Sequence, residues 1–148
     1  MSLNSLISYL YRDSDNYKVH NVCIINGLLT SEQQQRILDC LHEGEWFIPN
    51  AVGLPEKRFD TWDDQSDHPW FELDEYSFET THGNPTVDVT PAGLVKAFEA
   101  CKGKWQKFEC DAIARLAPMV VSELIQEATE RSGGQEIGQS FGKDLDFV

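Results

Sequence analysis

The sequence predicts an α+β domain: a small mixed or antiparallel sheet in the first two-thirds, covered by helices, with a helical C-terminal third. Three stretches predict it. Val19 to Ile25 is a β-branched apolar run, set off by the turn cluster Asp13-Ser14-Asp15-Asn16 on one side and by Asn26-Gly27 on the other. The run from Trp70 to Thr81 reads as a strand, with Trp70, Glu72, Asp74, Tyr76 and Phe78 on one side and Phe71, Leu73 and Glu75 on the other. From Leu94 through Val95, Phe98, Cys101, Trp105 and Phe108 the apolar residues recur at helical spacing.

The remaining elements follow from punctuation. Leu3, Ile7 and Leu10 sit at near-helical spacing, so the first ten residues read as a weakly amphipathic lead. Thr30 or Ser31, with Gln33 or Gln34 three residues on, marks a capping box; Ile37, Leu38 and Leu41 give that helix its buried face and Gly44 ends it. Trp46 to Ile48 is a short strand broken by Pro49, and Phe59 to His68 carries too many aspartates and too little periodicity for a regular element. Thr86 to Val89 allows another short strand before Thr90-Pro91, an N-cap hydroxyl followed by the residue whose missing N–H costs nothing there. Gly103 interrupts the C-terminal pattern softly, Pro118 kinks or splits it, and Gly133-Gly134 stops it. Residues 1–132 thus form one α+β domain, and 133–148 a flexible or loosely docked tail.

Composition narrows the function. With 148 residues, 41% of them hydrophobic, the chain is long and apolar enough to fold around one core. Its formal charge of −13 repels phosphate backbones and anionic lipid, which argues against direct nucleic-acid or membrane-surface binding. Cys23, Cys40, Cys101 and Cys110 form no CxxC pair, and no basic-then-apolar leader or membrane-length apolar run is present. The expected compartment is the cytoplasm, with reduced, packed thiols.

The most unusual stretch runs from Trp46 to Phe78 and mixes large rings with closely spaced acids. Asp63, Asp64, Asp67 and His68 offer hard oxygen donors and one imidazole, a set that Mg²⁺ or Mn²⁺ accepts in a hydrolase or nuclease using the carboxylates from Asp60 to Glu72. The spacing matches neither a calcium loop nor an HExxH helix, since Pro69 intervenes. The competing reading takes Phe59, Trp62 and Trp70, with Asp63, Asp64, Asp67 and His68, as an acidic aromatic contact surface for a protein partner. A stronger form of it is mimicry of a nucleic-acid backbone. A zinc set drawn from His20, Cys23, Cys40 and His42 has suitable ligand types, but positions three apart in a strand face opposite ways. GxSxG and GK[ST] signatures are absent, and no cofactor is implied.

Three blocks carry a resemblance: Tyr11-Arg12-Asp13 with Asn16-Tyr17-Lys18; Phe47-Ile48-Pro49 with Val52-Gly53-Leu54-Pro55; and Asp67-His68-Pro69-Trp70-Phe71-Glu72-Leu73. Over roughly residues 11 to 105 the chain resembles a family of small bacterial proteins, scattered through gut bacteria and their mobile elements, to which no activity or catalytic residue is attached. The resemblance implies a cytoplasmic accessory protein rather than a metabolic enzyme. The reading with most support is a non-catalytic interaction or regulatory module; the metal-dependent hydrolase is the alternative.

Overall fold

A computed structural model describes residues 3–117. The elements in order are β1 (Asn4–Arg12), β2 (Lys18–Ile25), α1 (Ser31–Leu38), β3 (Trp46–Phe47), β4 (Phe71–Glu72), β5 (Phe78–Thr81), α2 (Pro91–Cys101) and α3 (Trp105–Leu116). The five strands form one antiparallel sheet in the order β2-β1-β4-β3, with β5 also on β1, so the chain is α+β. Met1–Ile113 forms one compact unit and Ala114–Val148 a second. The expected kink at Pro118, the domain end at 132 and the tail from 133 lie outside the described residues.

The first ten residues are not a helical lead. They supply most of β1, the central strand, which pairs with β2 from Ser5↔Ile25 to Arg12↔Lys18. Spacing of three and four among a few apolar residues hid an alternation of period two: Ser5, Ile7, Tyr9 and Tyr11 are buried on one face, while Leu6, Ser8, Leu10 and Arg12 are only partly covered on the other. The hairpin closes through Asp13, whose Oδ1 accepts from the Asp15 and Tyr17 amides, and through Asn16 in the left-handed conformation at φ 72°.

The capping box at α1 forms as expected, between Thr30 and Gln33 in both directions. The helix itself stops at Leu38, earlier than Gly44, because the amides of Cys40 and Leu41 bond back three residues, to Ile37 and Leu38, and tighten the last turn. Glu43 (φ 53°) and Gly44 (φ 76°) then reverse the chain into β3. Thr30 and Thr90 both cap their helices through the side chain, and Pro91 occupies the first turn of α2.

The expected strand from Trp70 to Thr81 is two strands along one edge of β1. From Glu72 to Phe78 the chain advances six residues while its partners go from Leu10 to Ile7, so the turn between them is looped out of the ladder. Asp74 holds that turn: its Oδ1 accepts from the Tyr76 amide and the Ser77 hydroxyl, while the Ser8 amide donates to Ser77 O. Tyr76 is left 80% exposed at the tip. Thr86–Val89 is not a strand, although the Thr86 and Val87 amides donate to Ile24 O and the Asn26 amide donates to Val89 O.

One face of the sheet carries the core. Ile7, Tyr9, Tyr11, Cys23, Ile25, Phe47 and Phe71 pack with Ile37 of α1, Leu94, Val95, Phe98 and Cys101 of α2, and Trp105 and Ala112 of α3. Gly103, at φ 75°, separates α2 from α3 fully, where the sequence suggested a soft interruption.

Candidate functional site

The loop from Glu56 to Pro69 has no regular structure, yet a buried arginine organises it. The Arg58 side chain is 10% exposed and its ion-pair partner Glu56 6%, at 3.2 Å. Arg58 Nη1 donates to His68 O and Nη2 to Pro69 O, both at 2.8 Å, and the guanidinium lies over the Tyr11 and Phe71 rings at 5.0 and 4.8 Å. Glu56 in turn accepts from the Asn50 amide. One planar cation therefore fastens two loop carbonyls to the aromatic face of the sheet. Sequence reasoning missed Arg58, because the Lys57-Arg58 pair carries no recognisable pattern; only the carbonyl and ring partners of Arg58, distant in sequence, define its role.

The candidate residues of this loop are mostly turned to its own backbone. Tyr11 OH donates to Asp67 Oδ1 in a very short contact, and Asp67 Oδ2 accepts from the Asp63 amide at 2.7 Å. Asp63 Oδ1 accepts from the Gln65 amide and Asp64 Oδ1 from Trp62 Nε1. His68 Nδ1 accepts from the Trp70 amide at 3.0 Å, and Nε2 faces Arg12 O at 2.7 Å. Those partners assign the neutral Nε2–H tautomer and leave no lone pair for a metal. Burial lowers the His68 pKa further, outweighing the contact with the Arg12 carbonyl. Tyr11 is raised, first by burial and then by its bond to Asp67.

Phe59 is 38% exposed and meets Tyr11 edge-on at 5.8 Å. Trp62 is half-buried. Trp70 lies elsewhere, stacked on His42 at 4.7 Å, edge-on to Trp105 at 6.2 Å, with Nε1 donating to Glu109 of α3. The structure thus brings Asp63, Asp67, His68 and Phe59 together around Tyr11, and takes Trp70 into the packing of α3. Of the zinc candidates, His20 is exposed on one face of β2, Cys23 buried on the other, Cys40 buried with its thiol donating to Arg36 O, and His42 stacked on Trp70. Among the described residues no group of three or more His, Cys, Asp or Glu is arranged to hold an ion.

The thiols offer no nucleophile in the core. Burial pushes Cys23 up to about 11, and it raises Cys40 and Cys101 as well, so each stays a protonated, packed thiol at neutral pH.

The hairpin turn and the loop form one surface. The Ser14 amide donates to Ser66 O at 3.0 Å, and the Ser14 hydroxyl lies within reach of Gln65 O and Ser66 O. Exposed there are Asp15, Asp60, Asp63 and Asp64 with Tyr17 and Phe59. None of these four acids has a salt-bridge partner among the described residues.

A concave feature lies on the other face of the sheet, which no helix among the described residues covers. It is a groove of about 420 Å³ with Ser8, Leu10, His20 and Val22 on its floor, bordered by Glu45 and Asp74. Arg12 and Glu72 pair within it at 2.9 Å. Reading β1 as a helix concealed this face; the alternation from Ser5 to Arg12 is the signal that reveals it.

No family model, no curated protein and no solved structure matches the chain. Tyr11, Phe47 and Phe71 pack as neighbouring rings, Tyr11–Phe71 at 5.4 Å and Phe47–Phe71 at 6.5 Å. Among the described residues no helix is long and apolar enough to cross a membrane.

Proposed function

We propose that this chain is a non-catalytic protein-interaction module, an accessory protein whose contact surface is the joined hairpin turn and loop. The observation that carries this reading is the set of exposed carboxylates of Asp15, Asp60, Asp63 and Asp64, which have no salt-bridge partner among the described residues and are held beside exposed Tyr17 and Phe59 near a loop pinned by Arg58. A surface ordered before binding loses less conformational entropy on association, and concentrated negative charge speeds encounter with a basic partner. Such a partner is a protein with a cationic face, including one that ordinarily binds nucleic acid.

The metal-dependent hydrolase has no comparable support. Ligation by Asp67 and His68 requires breaking their bonds to Tyr11, Asp63, Arg12 and Trp70. The test is capture from lysate of the producing cells at low and high salt, using wild type and an Asp15→Asn/Asp60→Asn double variant of unchanged melting temperature. Partners held by wild type at low salt, released by salt and lost by the variant support the module. A partner held equally by both proteins, or no partner at either salt, overturns it.

A further inference from the structure

The outer edge of β2 is only partly occupied. Ile24 turns its N–H and C=O away from β1: its amide donates to Thr86 Oγ1, and its carbonyl accepts from Thr86 and Val87. In an antiparallel strand the same side is shared by every second residue, so His20 and Val22 also aim their backbone donors and acceptors outward. No hydrogen bond meets those groups among the described residues. The segment that satisfies Ile24 and Asn26 ends there, leaving the rungs from Lys18 to Val22 open. The side chains along this edge are accessible: Val22 is 58% exposed, and Lys18 and His20 are exposed beside it.

The side chains of an added strand meet the groove on the uncovered face. His20, Asn21 and Val22 line it at the β2 edge, and Glu45 and Asp74 border it beyond Leu10. Arg12 is already engaged by Glu72, whose hydrogen bond and charge raise its pKa. Among the described residues Glu45 has no cation partner, and Asp74 spends Oδ1 on its own turn. The groove therefore has an excess of negative charge with an apolar floor of Val22 and Leu10.

We propose that the edge of β2 from Lys18 to Val22 is a docking strand, on which an extended, lysine- or arginine-bearing segment of another protein adds as a further strand, its positive charge complementary to the negative groove and to the chain's formal charge of −13. Backbone pairing gives the affinity and the cation gives the selectivity, as in other strand-addition complexes. This surface shares no residue with the turn-and-loop surface, so either can fail without the other. A second copy of this chain is a poorer occupant, because two chains of formal charge −13 repel.

The test uses the full chain, ¹⁵N-labelled, with the peptide acetyl-Thr-Val-Lys-Val-Lys-Val-Thr-amide as probe. Two analogues accompany it, one with glutamate for lysine and one N-methylated at alternate peptide nitrogens. At saturation the probe slows exchange of the His20 and Val22 amides by about tenfold or more, while Asn21 and Cys23, already bonded to β1, change little. At low salt Glu45→Gln weakens the probe about twofold through the groove's charge, and Val22→Pro, which removes one outward N–H from an edge strand, abolishes protection at His20. The N-methylated peptide makes the same cut with the protein unaltered, so a poorly folded Val22→Pro does not cloud the result. Equal binding of the acidic or N-methylated peptide overturns the proposal. So does protection confined to other residues, or protection of His20 and Val22 that rises with protein concentration alone, which identifies a second copy as the occupant.

Discussion

The two faces of β1 belong to one nine-residue strand and yet live in different environments. Tyr9 and Tyr11 are 3% and 0% exposed, boxed in by Phe47, Phe71 and the Arg58 guanidinium, whereas Leu10 and Arg12 between them floor an open groove. The difference teaches where selection for stability and freedom for binding separate on this molecule. The inner face is filled by aromatic rings whose removal leaves a cavity, and the outer face by short, charged or half-covered side chains whose replacement leaves water.

Substitutions on the inner face break that contrast hardest. Phe71→Ala removes a fully buried ring touching Tyr9, Tyr11, Phe47 and Arg58, and urea unfolding is expected to register a loss of about 3–5 kcal/mol. Arg58→Met takes away the cation that pairs with Glu56 and the donors to two loop carbonyls; the expected cost is also about 3–5 kcal/mol, and adding Glu56→Gln recovers part of it. If the single and double variants are equally unstable, the charge pair is not what holds the loop. Tyr11→Phe keeps the ring and deletes only the hydroxyl shared with Asp67 and the His68 amide, so about 1–2 kcal/mol is expected, with faster hydrogen exchange between residues 63 and 68.

A pH titration sharpens the same comparison. Folding depresses the His68 pKa below its ordinary 6.5, so the unfolded chain binds a proton more readily than the folded one. The stability that neutral His68 contributes is complete above about pH 6.5 and declines as pH falls below it, down to the depressed folded value. Melting curves of wild type and His68→Gln, which keeps a donor toward Arg12 O, are expected to converge as pH falls from 7 to 5. A constant gap would show that folding leaves the His68 pKa where it is in the unfolded chain. The smallest effect belongs to the outer face: Val22→Ser is expected to move stability by no more than about 0.5 kcal/mol, measured by the same urea unfolding.

How far the sequence reached can be seen element by element. β2, the Thr30–Gln33 capping box and the Thr90–Pro91 start of α2 were legible because each is a local rule: a β-branched run between turns, a reciprocal cap, a proline where no amide is needed. β1 was not, since its apolar residues satisfy two periods at once and only pairing with β2, β4 and β5 selects one. The interruption between β4 and β5 was equally hidden, because the alternation of Trp70 to Phe78 continues unbroken in the sequence while Asp74 folds the chain out of the ladder. At the candidate site the density of acids around Phe59 and Trp62 was plain. What was not plain is that Asp67 and His68 face inward, Trp70 packs toward α3, and Arg58 fastens the loop.

By itself the sequence determined an acidic α+β protein with its helix starts, one strand and an aromatic, aspartate-rich loop, because composition, caps and turn residues act within a few positions along the chain. Only the tertiary structure decided which face of β1 is core, which carboxylates are spent on backbone amides, and which edge of β2 has no strand partner among the described residues. Those outcomes depend on partners tens of residues away, such as Arg58 on His68 and Pro69 or Tyr11 on Asp67, and a hydrogen bond between distant segments leaves no period in the residues that make it.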